Sequence, residues 1–488
     1  MKRDTLEQAR DSLFIDKIQS TFKAADADLL NQAYTFSQEK SCGDNLTGYR
    51  AANLLFEQSA DAITIASALL APLIWQDLID AAFVRERYGP DVAIAVEDLH
   101  GAFFPPLDAQ PVDVNALLAS MTGVPRKAIL YITFRLLGLE CNTDVSDPTV
   151  RKMAQETIDF LVPIADRLSL GNLRHCLEDA CFRILDPNGY GELQDLVKPI
   201  QLEDEKCLGI LLTGVKQLLV NNGVRGKVEG RTKSLYGIHS KMARTGKSLD
   251  EIMDRIGIRV IVTSVPECYT VLGIVHSHFK PIPGTFDDYI GLPKNNGYQS
   301  LHTCIYPVRE ISHKPIEFQI RTELMHRDAE HGTAAHWRYK SKADTATCNQ
   351  QQMQWMEGLI RQHQEANSIE AFIERLHRQV FRDRLIVFGN GGRIVRLAEN
   401  STVRDYLKII NAPAPQDMKV KVNGRVETIE YTLRDGDSIE VPVNSSTTSS
   451  DFNAYTMHNP FFVAEKQLSI NTMVNDENSS AETMACDE

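Results

Sequence analysis

The sequence predicts a multidomain protein in which an all-α domain comes first, a mixed α/β domain follows and a small β-rich module comes last. A chain of 488 residues is too long for one ordinary core. Its hydrophobic spacing changes from helical to strand-like near residue 225, and glycine-rich turns between short strands return after residue 384. The predicted segments are a helical domain 1–200, an α/β domain 201–345, a helical connector 346–384, a β-rich module 385–443 and a disordered tail 444–488.

The helical domain is predicted from apolar residues that recur at mixed three- and four-residue spacings across Val150–Leu185. Short β-rich runs then appear at Ile258–Val262, Tyr298–Tyr306 and Ile316–Ile320, and a helical pattern follows at Glu323–Tyr339. This order of patterns predicts a mixed α/β domain.

The segment after the α/β domain is polar and Gln-rich before it becomes helical, which suits a connector. In the last module, Leu385–Phe388 and Arg393–Leu397 flank a Gly-Asn-Gly-Gly turn. A helix is expected to start at Ser401 or Thr402, and Asn423-Gly424 predicts a second hairpin. The final segment is rich in Ser, Thr and Asn without periodicity, so it is predicted to be disordered.

Composition narrows the class of protein. Hydrophobic residues make up 43% of the chain and charged residues 24%, as in soluble globular proteins. No apolar stretch follows the N-terminal charges, and Ala66–Trp75 is too short to span a bilayer. We therefore expect a cytoplasmic protein without membrane contact. The nine cysteines contain no C-x-x-C pair, which argues against structural zinc and a disulfide framework.

The charge distribution points to a local anion site. A net charge of −13 argues against non-specific nucleic-acid binding by the whole surface. Between Val224 and Lys247, however, seven residues are Lys or Arg and only Glu229 is acidic. We expect an anionic ligand near this segment.

The first candidate binding element is the run Gly230–Tyr236, followed by Lys241. Its glycine permits close backbone approach, while Arg231 and Lys233 can donate to phosphate oxygens. The alternative is a solvated basic face. The second element is Asp254 ahead of the Ile258–Val262 strand, where a carboxylate can hold Mg²⁺. The alternative is that Asp254 is only a helix-capping or turn residue.

The third element places Tyr298, Ser300 and His302 on one face of a predicted strand, because alternate residues share a face. Gly297 leaves room for a base beside the tyrosine ring. The fourth is the alternation in Ile316–Arg321, whose polar members are Glu317, Gln319 and Arg321. An ordinary amphipathic strand is the alternative. The joint occurrence of the four elements favours a nucleotide site.

These strings resemble the synthetase domain of the RelA/SpoT stringent-response family, in matching order over about 115 residues. They are Gly230–Lys241, Asp254–Arg259, Asn296–His302, Glu317–Thr322 and Ala334–Trp337. More weakly, 1–200 is similar to the family's HD-type hydrolase domain and 385–443 to its TGS module. The resemblance implies a nucleotidyltransferase-like α/β fold in the middle and a β-grasp-like fold at the end.

The resemblance also implies an activity, a GTP/GDP diphosphokinase that moves pyrophosphate from ATP to the 3′-hydroxyl of GDP or GTP with Mg²⁺. It implies that Asp254 and Glu317 are catalytic and hold the metal, and that Tyr298 stacks on guanine. The implied ATP-binding residues are Arg231, Lys233, Lys241 and Arg259, and the implied guanine-nucleotide residues are Tyr298, Lys294, Asn296, His302 and Gln319.

The N-terminal region departs from the hydrolase pattern. Alignment of Asp61–Leu70 puts Ala71-Pro72 where the family has a metal-binding His-Asp pair, and Trp75-Gln76 where it has Glu-Asp. The earlier histidine is also missing between Thr47 and Tyr49. Side chains of Ala and Pro cannot ligate a metal, so we predict a pseudo-hydrolase. The alternative is a rearranged site that uses Asp77, Asp80 or His100.

Further departures bear on partners. The chain lacks the helical, zinc-binding and ACT-type regions that follow the TGS module in long members, and Tyr406–Lys421 contains no histidine. Contact with tRNA on the ribosome is therefore not expected. Thr285–Asp288 is closer to the acidic version of dedicated synthetases. The main alternative function is a non-catalytic regulator that binds guanine nucleotides or tRNA, and GDP versus GTP preference, activating signal and oligomeric state stay open.

Overall fold

The structure, a computed structural model, forms two compact units, residues 1–382 and 383–488. The predicted tail and the Gln-rich part of the predicted connector lie outside the described residues. These are residues 14–41, 46–97, 99–103, 125–142, 144–249, 252, 255–294, 296–308, 314–339, 355, 357–366, 368–381, 384–389, 394–398, 401–410, 412–413, 415, 418–434 and 436–441.

The first part of the first unit is helical, as predicted. Its helices are α1 Ala24–Lys40, α2 Leu46–Glu57, α3 Ala62–Trp75, α4 Ala81–Tyr88, α5 Pro90–Val96, α6 His100–Phe103, α7 Pro125–Cys141, α8 Pro148–Glu156, a π-helical turn Thr157–Leu161, α9 Val162–Arg167 and α10 Gly171–Leu185. Asp61 caps α3 by accepting a hydrogen bond from Thr64 N at 3.0 Å. This helix is apolar on all sides, so it lies buried at the centre of the helical core.

A long helix, α11 Pro187–Asn221, leads out of the helical part. In its first half, Leu193 packs in a cluster with Phe182 of α10, and in its second half Leu211 and Val215 pack against the sheet described below. The predicted domain boundary at residue 200 falls inside this helix. The two predicted domains therefore share one continuous element.

The α/β part is built on a mixed five-stranded sheet in the order β1-β2-β5-β4-β3. Strands β2 and β5 are parallel, and the other neighbours are antiparallel. The predicted strands Ile258–Val262 and Ile316–Ile320 fall within β2 and β5. The elements are β1 Lys227–Thr232, α12 Leu235–Thr245, β2 Ile256–Val262, α13 Val265–His278, β3 Asp287–Asp288, β4 Leu301–Ile305, β5 Ile316–Thr322 and α14 Glu323–Tyr339.

One face of this sheet is apolar and buried. Ile258, Val260 and Phe318 lie on it, and they pack against residues of α11 and α13. Because side chains alternate along a strand, the residues between them point to the opposite face. That second face carries the polar residues of the candidate site.

The predicted connector contributes to the helical core. Helix α15, Ile369–Phe381, buries Phe372 and Leu376 in the same apolar cluster as the N-terminal helices. The rings of Phe160 and Phe372 are stacked with centroids 6.1 Å apart. The helical half of the connector is thus part of the helical core rather than a free linker.

The second unit is a small β-rich module. Asn423 and Gly424 both have positive φ angles, 51° and 78°, as a two-residue hairpin turn of the predicted type requires. Thr402 and Asp405 form a capping box at the predicted helix start. The elements are β6 Arg384–Phe388, β7 Ile394–Ala398, α16 Val403–Ile409, β8 Lys419–Val422, β9 Arg425–Thr428 and β10 Ile439–Glu440, with β6 paired to β7 and a sheet order β10-β8-β9.

A helix that crosses a bilayer needs about 20 consecutive, mostly apolar residues. Within the part of the chain that the structure describes, no helix is both long enough and apolar enough to do so.

Candidate active site

Strand pairing brings the polar residues of the α/β part into two rows across one face of the sheet. In the first row, Gly257 lies opposite both Arg231 and Glu317. In the second row, Gln319 lies opposite both Arg259 and His302. Because residues two apart share a face, the two rows form a single polar surface.

A pocket opens in the first row. It is lined by Arg231, Lys233, Gly257 and Glu317. The glycine contributes no side chain, so two cationic side chains and one carboxylate border the same space. Two of the predicted ATP-binding residues therefore lie beside the predicted catalytic carboxylate, whereas Lys241, on α12, is not part of the pocket lining.

Glu317 also contacts the second row. Its Oε2 accepts a hydrogen bond from Gln319 Nε2 at 2.8 Å, and its Oε1 lies 3.4 Å from His302 Nδ1. The other ring nitrogen of His302, Nε2, lies 2.8 Å from the hydroxyl oxygen of Tyr298. A neutral histidine with its proton on Nδ1 satisfies both contacts, because Nδ1 then donates to the carboxylate and Nε2 accepts from the hydroxyl. The structure thus links Tyr298, His302, Glu317 and Gln319 in one chain of contacts.

An aromatic group lies beside this chain of contacts. The ring of Tyr289 stands perpendicular to the ring of His302, with centroids 5.1 Å apart, and at 6.2 Å from the ring of Tyr298. Lys294 Nζ lies 4.5 Å from the centroid of the Tyr289 ring, a cation–π arrangement. Tyr289 directly follows Asp287-Asp288 in the sequence and is not among the site residues predicted above.

The loop before Tyr298 is organised by Asn296 and Gly297. Asn296 Oδ1 accepts a hydrogen bond from Tyr298 N at 3.1 Å, and its Nδ2 donates to Asp166 Oδ2 at 3.4 Å. Gly297 has a φ of 81°, a left-handed conformation that favours glycine. The positive φ is thus a second reason for glycine here, beside the room for a base expected from the sequence. Asn296, predicted to bind the guanine nucleotide, holds protein groups in this structure.

The predicted alignment of Tyr298, Ser300 and His302 on one strand face is wrong. Strand β4 begins only at Leu301, so the period of two does not extend back to Tyr298. Ser300 is fully buried, and its hydroxyl donates to the Ile320 carbonyl oxygen at 3.1 Å. Ser300 therefore ties the loop to β5, while Tyr298 reaches His302 from outside the strand.

A buried charge cluster, formed by Arg259, Arg321, His326 and Glu330, adjoins the second row. Glu330 Oε1 lies 2.8 Å from Arg259 Nη2 and 2.7 Å from Arg321 Nη2. Arg321 Nη2 also lies 2.9 Å from His326 Nδ1. Arg259, predicted to bind ATP, is thus ion-paired with a residue of α14.

Electrostatics within the cluster follow from burial and from the two guanidinium groups. Burial acts to raise the pKa of Glu330, but Arg259 and Arg321 outweigh it and hold the pKa at about 2. Burial, together with the charge of Arg321, lowers the pKa of Arg259 to about 10. Glu330 was not predicted from the sequence, because the candidate elements were strands and loops and Glu330 lies on a helix. The available signal was its i, i+4 spacing from His326, which places both side chains on one face of that helix.

The fit to a magnesium ion can be judged at Glu317 alone, because Asp254, the other predicted metal ligand, lies outside the described residues. Among the residues that are described, no group of three or more His, Cys, Asp or Glu residues could hold a metal ion. Mg²⁺ is commonly bound by one or two carboxylates together with water and substrate phosphates. A single carboxylate in a pocket with two cationic side chains fits an ion that arrives with a polyphosphate.

The segment that carries this site matches a known protein family. Residues 230–344 match the family model described as a region found in RelA / SpoT proteins. The chain is 31% identical over 408 residues to a GTP pyrophosphokinase of Escherichia coli, covering 81% of this chain and 54% of that protein. It is 32% identical over 409 residues to a probable guanosine-3′,5′-bis(diphosphate) 3′-pyrophosphohydrolase of Synechocystis, covering 82% and 53%. Residues 230–344 therefore contain the region found in RelA / SpoT proteins, and most of the chain is similar to members of that family.

The chain spans about half the length of these curated relatives. Their names describe both a synthetic and a hydrolytic activity. Among solved structures, the small alarmone synthetase 1 of Bacillus subtilis bound to its product pppGpp is 22% identical, with 34% of this chain and 94% of that chain covered and a TM-score of 0.26.

Proposed function

We propose that this chain transfers pyrophosphate from ATP to the 3′-hydroxyl of GDP or GTP, and so makes guanosine tetra- and pentaphosphate in the stringent response. One observation carries the proposal. Glu317 borders the pocket of Arg231 and Lys233 on one side and contacts His302 and Gln319 on the other. Glu317, the proposed proton acceptor, thus lies between the residues predicted to bind the two nucleotides. The synthetic activity named for the E. coli relative supports the proposal.

The reaction sets two demands that these residues can meet. The 3′-oxygen attacks the β-phosphorus of ATP and forms a bond to it. The bond from the β-phosphorus to the oxygen shared with the α-phosphorus breaks, and AMP leaves with that oxygen. The attacking hydroxyl must lose a proton, and the Glu317 carboxylate accepts it. Contacts from His302 and Gln319 hold that carboxylate in one orientation.

The second demand is charge. Two nucleotide polyphosphates repel one another, and cationic groups must offset that repulsion in the transition state. Arg231 and Lys233 line the pocket beside Glu317 and bind the phosphates of ATP. Glu317 together with Asp254 would hold a Mg²⁺ ion, which would supply further positive charge at the phosphate oxygens.

On the guanine side, the proposal assigns stacking to Tyr298. Its hydroxyl contact to His302 fixes the ring at the edge of the polar face, next to Lys294 and Tyr289. Asn296 acts mainly through the loop, because both ends of its amide bind protein groups.

For the helical part, the proposal is that it does not hydrolyse the product. Ala71 and Pro72, at the positions where the resemblance calls for metal ligands, are buried in α3. Trp75, one turn later, stacks against Phe103 at 5.8 Å and meets Phe134 edge-on at 4.7 Å. Apolar side chains therefore occupy the space around these positions.

The decisive assay uses the purified full chain with ATP, Mg²⁺ and either GDP or GTP, with products resolved by anion-exchange chromatography. AMP and the tetra- or pentaphosphate are expected in equal amounts. If both substrates bind but are recovered unchanged, the chain is a nucleotide-binding regulator and the proposal is wrong.

A further inference from the structure

One element of the helical part reaches both proposed nucleotide-binding segments. It runs from Asp166, at the end of α9, through the turn 168–170 into α10. It contacts the loop of Tyr298 near its start and the first turn of α12 from the middle of α10. Resting on the proposed function, we propose that Ser169 and Asp179 are positioning residues, the first for the guanine nucleotide and the second for ATP.

On the guanine side, the contact is made by two residues. Ser169 Oγ donates a hydrogen bond to the carbonyl oxygen of Asn296 at 3.0 Å. Asp166 accepts from the amide nitrogen of Asn296, and Asp166 itself is paired with Arg174 of α10. Since Asn296 also binds the backbone N–H of Tyr298, the turn fixes the loop that carries the proposed stacking ring.

The same turn is in close backbone contact with α14. Gly332 interrupts that helix with a φ of 47°, and a Cβ at this position would collide with the carbonyl oxygen of Leu168. A Cβ on Gly171 would lie 2.8 Å from the carbonyl oxygen of Ala329. Glycine at both positions allows the two backbones to approach this closely. The turn is therefore held from two sides and cannot shift freely relative to the site.

On the ATP side, α10 holds the first turn of α12. Asp179 Oδ1 accepts a hydrogen bond from Tyr236 N at 2.8 Å. A carboxylate at a helix N-terminus is favourable because the first N–H groups lack partners within the helix and the helix dipole is positive there. Phe182 adds a ring contact, stacked on His239 with centroids 4.4 Å apart.

These contacts affect the proposed ATP residues through the chain that joins them. Lys233 lies two residues before α12 begins, and Lys241 is carried on it. Their positions relative to the pocket therefore depend on where α12 starts and on its direction. One contact is made by the turn before α10 and the other from the middle of α10, so each can be removed separately.

The test measures the affinity of the full chain for ATP and for GDP, each alone with Mg²⁺, by calorimetry. Ser169→Ala and Ser169→Gly both remove the hydroxyl, and the glycine also suits the left-handed φ of 57° at this position. Each should weaken GDP binding roughly two- to tenfold, as expected for one hydrogen bond, and change ATP binding less than twofold.

Asp179→Ala should show the opposite pattern, weakening ATP binding roughly two- to tenfold with GDP binding unchanged. Asp179→Asn should restore most of the affinity, because its amide oxygen can still accept from Tyr236 N. His239→Ala, which removes the stacked ring, should also weaken ATP binding selectively. Asn172→Ala, an exposed position on the same helix, is the matched control and should change neither affinity.

Equal loss of both affinities in any of these variants, or no loss in either Ser169 or Asp179 variants, would show that α10 acts only on stability and would overturn the inference. A wild-type chain that binds both nucleotides without making product overturns the proposed function alone, since the affinities still test the positioning. A wild-type chain that binds neither nucleotide overturns both.

Discussion

The sheet and helix α3 belong to the same folded unit, yet they place ionisable residues in opposite ways. Strand β5 alternates apolar residues with Glu317, Gln319 and Arg321, so one face packs against helices and the other carries polar residues, of which Glu317 borders the pocket. Helix α3 contains no ionisable residue between Ala62 and Trp75, and its buried residues leave no polar face. The difference shows that similarity to relatives can extend over both regions while the residues available for chemistry differ between them.

The strongest test of the polar face is Glu317→Gln. The change keeps the size of the side chain but removes its negative charge and its capacity to accept a proton. Loss of a general base typically costs 10²- to 10⁴-fold, so turnover should fall about 100-fold or more. Rates of AMP formation measure this.

Glu323→Gln, an exposed change just beyond the same strand, should leave turnover unchanged. A Glu317→Gln variant that keeps more than about a tenth of wild-type turnover would remove Glu317 from the proton-accepting role.

Glu330→Gln separates stability from chemistry on this face. The change leaves the buried guanidinium groups of Arg259 and Arg321 without their shared carboxylate. Removing one partner of a buried ion pair should lower the free energy of unfolding by about 3 kcal/mol. Urea unfolding of the variant against wild type measures it, and a change below about 0.5 kcal/mol, typical of surface sites, would contradict the assigned role.

The same carboxyl predicts a pH dependence. The pKa of Glu330 in the folded chain is about 2, below its ordinary value of 4.5. A depressed folded pKa stabilises the protein above the unfolded pKa, so this contribution is complete above about pH 4.5 and is lost as pH falls toward 2. Unfolding free energies of wild type and Glu330→Gln should therefore converge as pH falls through this window, and parallel curves would be the contrary result.

Tyr298→Ala should have a smaller, selective effect. Stacking on a base contributes roughly 1–3 kcal/mol, and only the guanine nucleotide is proposed to rest on this ring. GDP affinity should fall about 5- to 100-fold by calorimetry, and ATP affinity should change less. Tyr298→Phe keeps the ring and loses only the hydroxyl contact to His302, so it should retain most of the GDP affinity; equal losses for both nucleotides in Tyr298→Ala would contradict stacking.

For the helical part, we expect no hydrolysis of the tetraphosphate product. The full chain should not release pyrophosphate from the tetraphosphate with Mn²⁺ or any other divalent metal, and Ala71→His with Pro72→Asp should not create the activity. Metal sites need several donor atoms at about 2.0–2.6 Å, and these two changes would not supply the first histidine and the Glu-Asp pair that the family pattern implies. Chelator-sensitive release of pyrophosphate would show that Asp77, Asp80 or His100 form a rearranged site.

The sequence predicted those strands and turns whose formation depends on residues close together in the chain. A β-rich run predicted β2, alternation predicted β5, and Asn423-Gly424 predicted a hairpin, because these depend on neighbouring residues alone. The pairing of Gly257 with Glu317 follows from strand register, which no local signal specifies. The contacts of Asp166 with Asn296 and of Asp179 with Tyr236 join residues 130 and 57 positions apart, so periodicity could not reveal them.

Because α11 is continuous, it limits where the chain can be truncated. At 1.5 Å per residue, its 35 residues extend over roughly 50 Å, and its two halves are buried in different clusters. A break at residue 200 would leave Leu193 on one fragment and Leu211, Val215 and Leu219 on the other, and each fragment would carry a shortened helix with a new frayed end. The α/β part is therefore expected to be expressed as a stable protein only when the whole of Pro187–Asn221 is retained with it, and residues 1–382 should unfold in one transition.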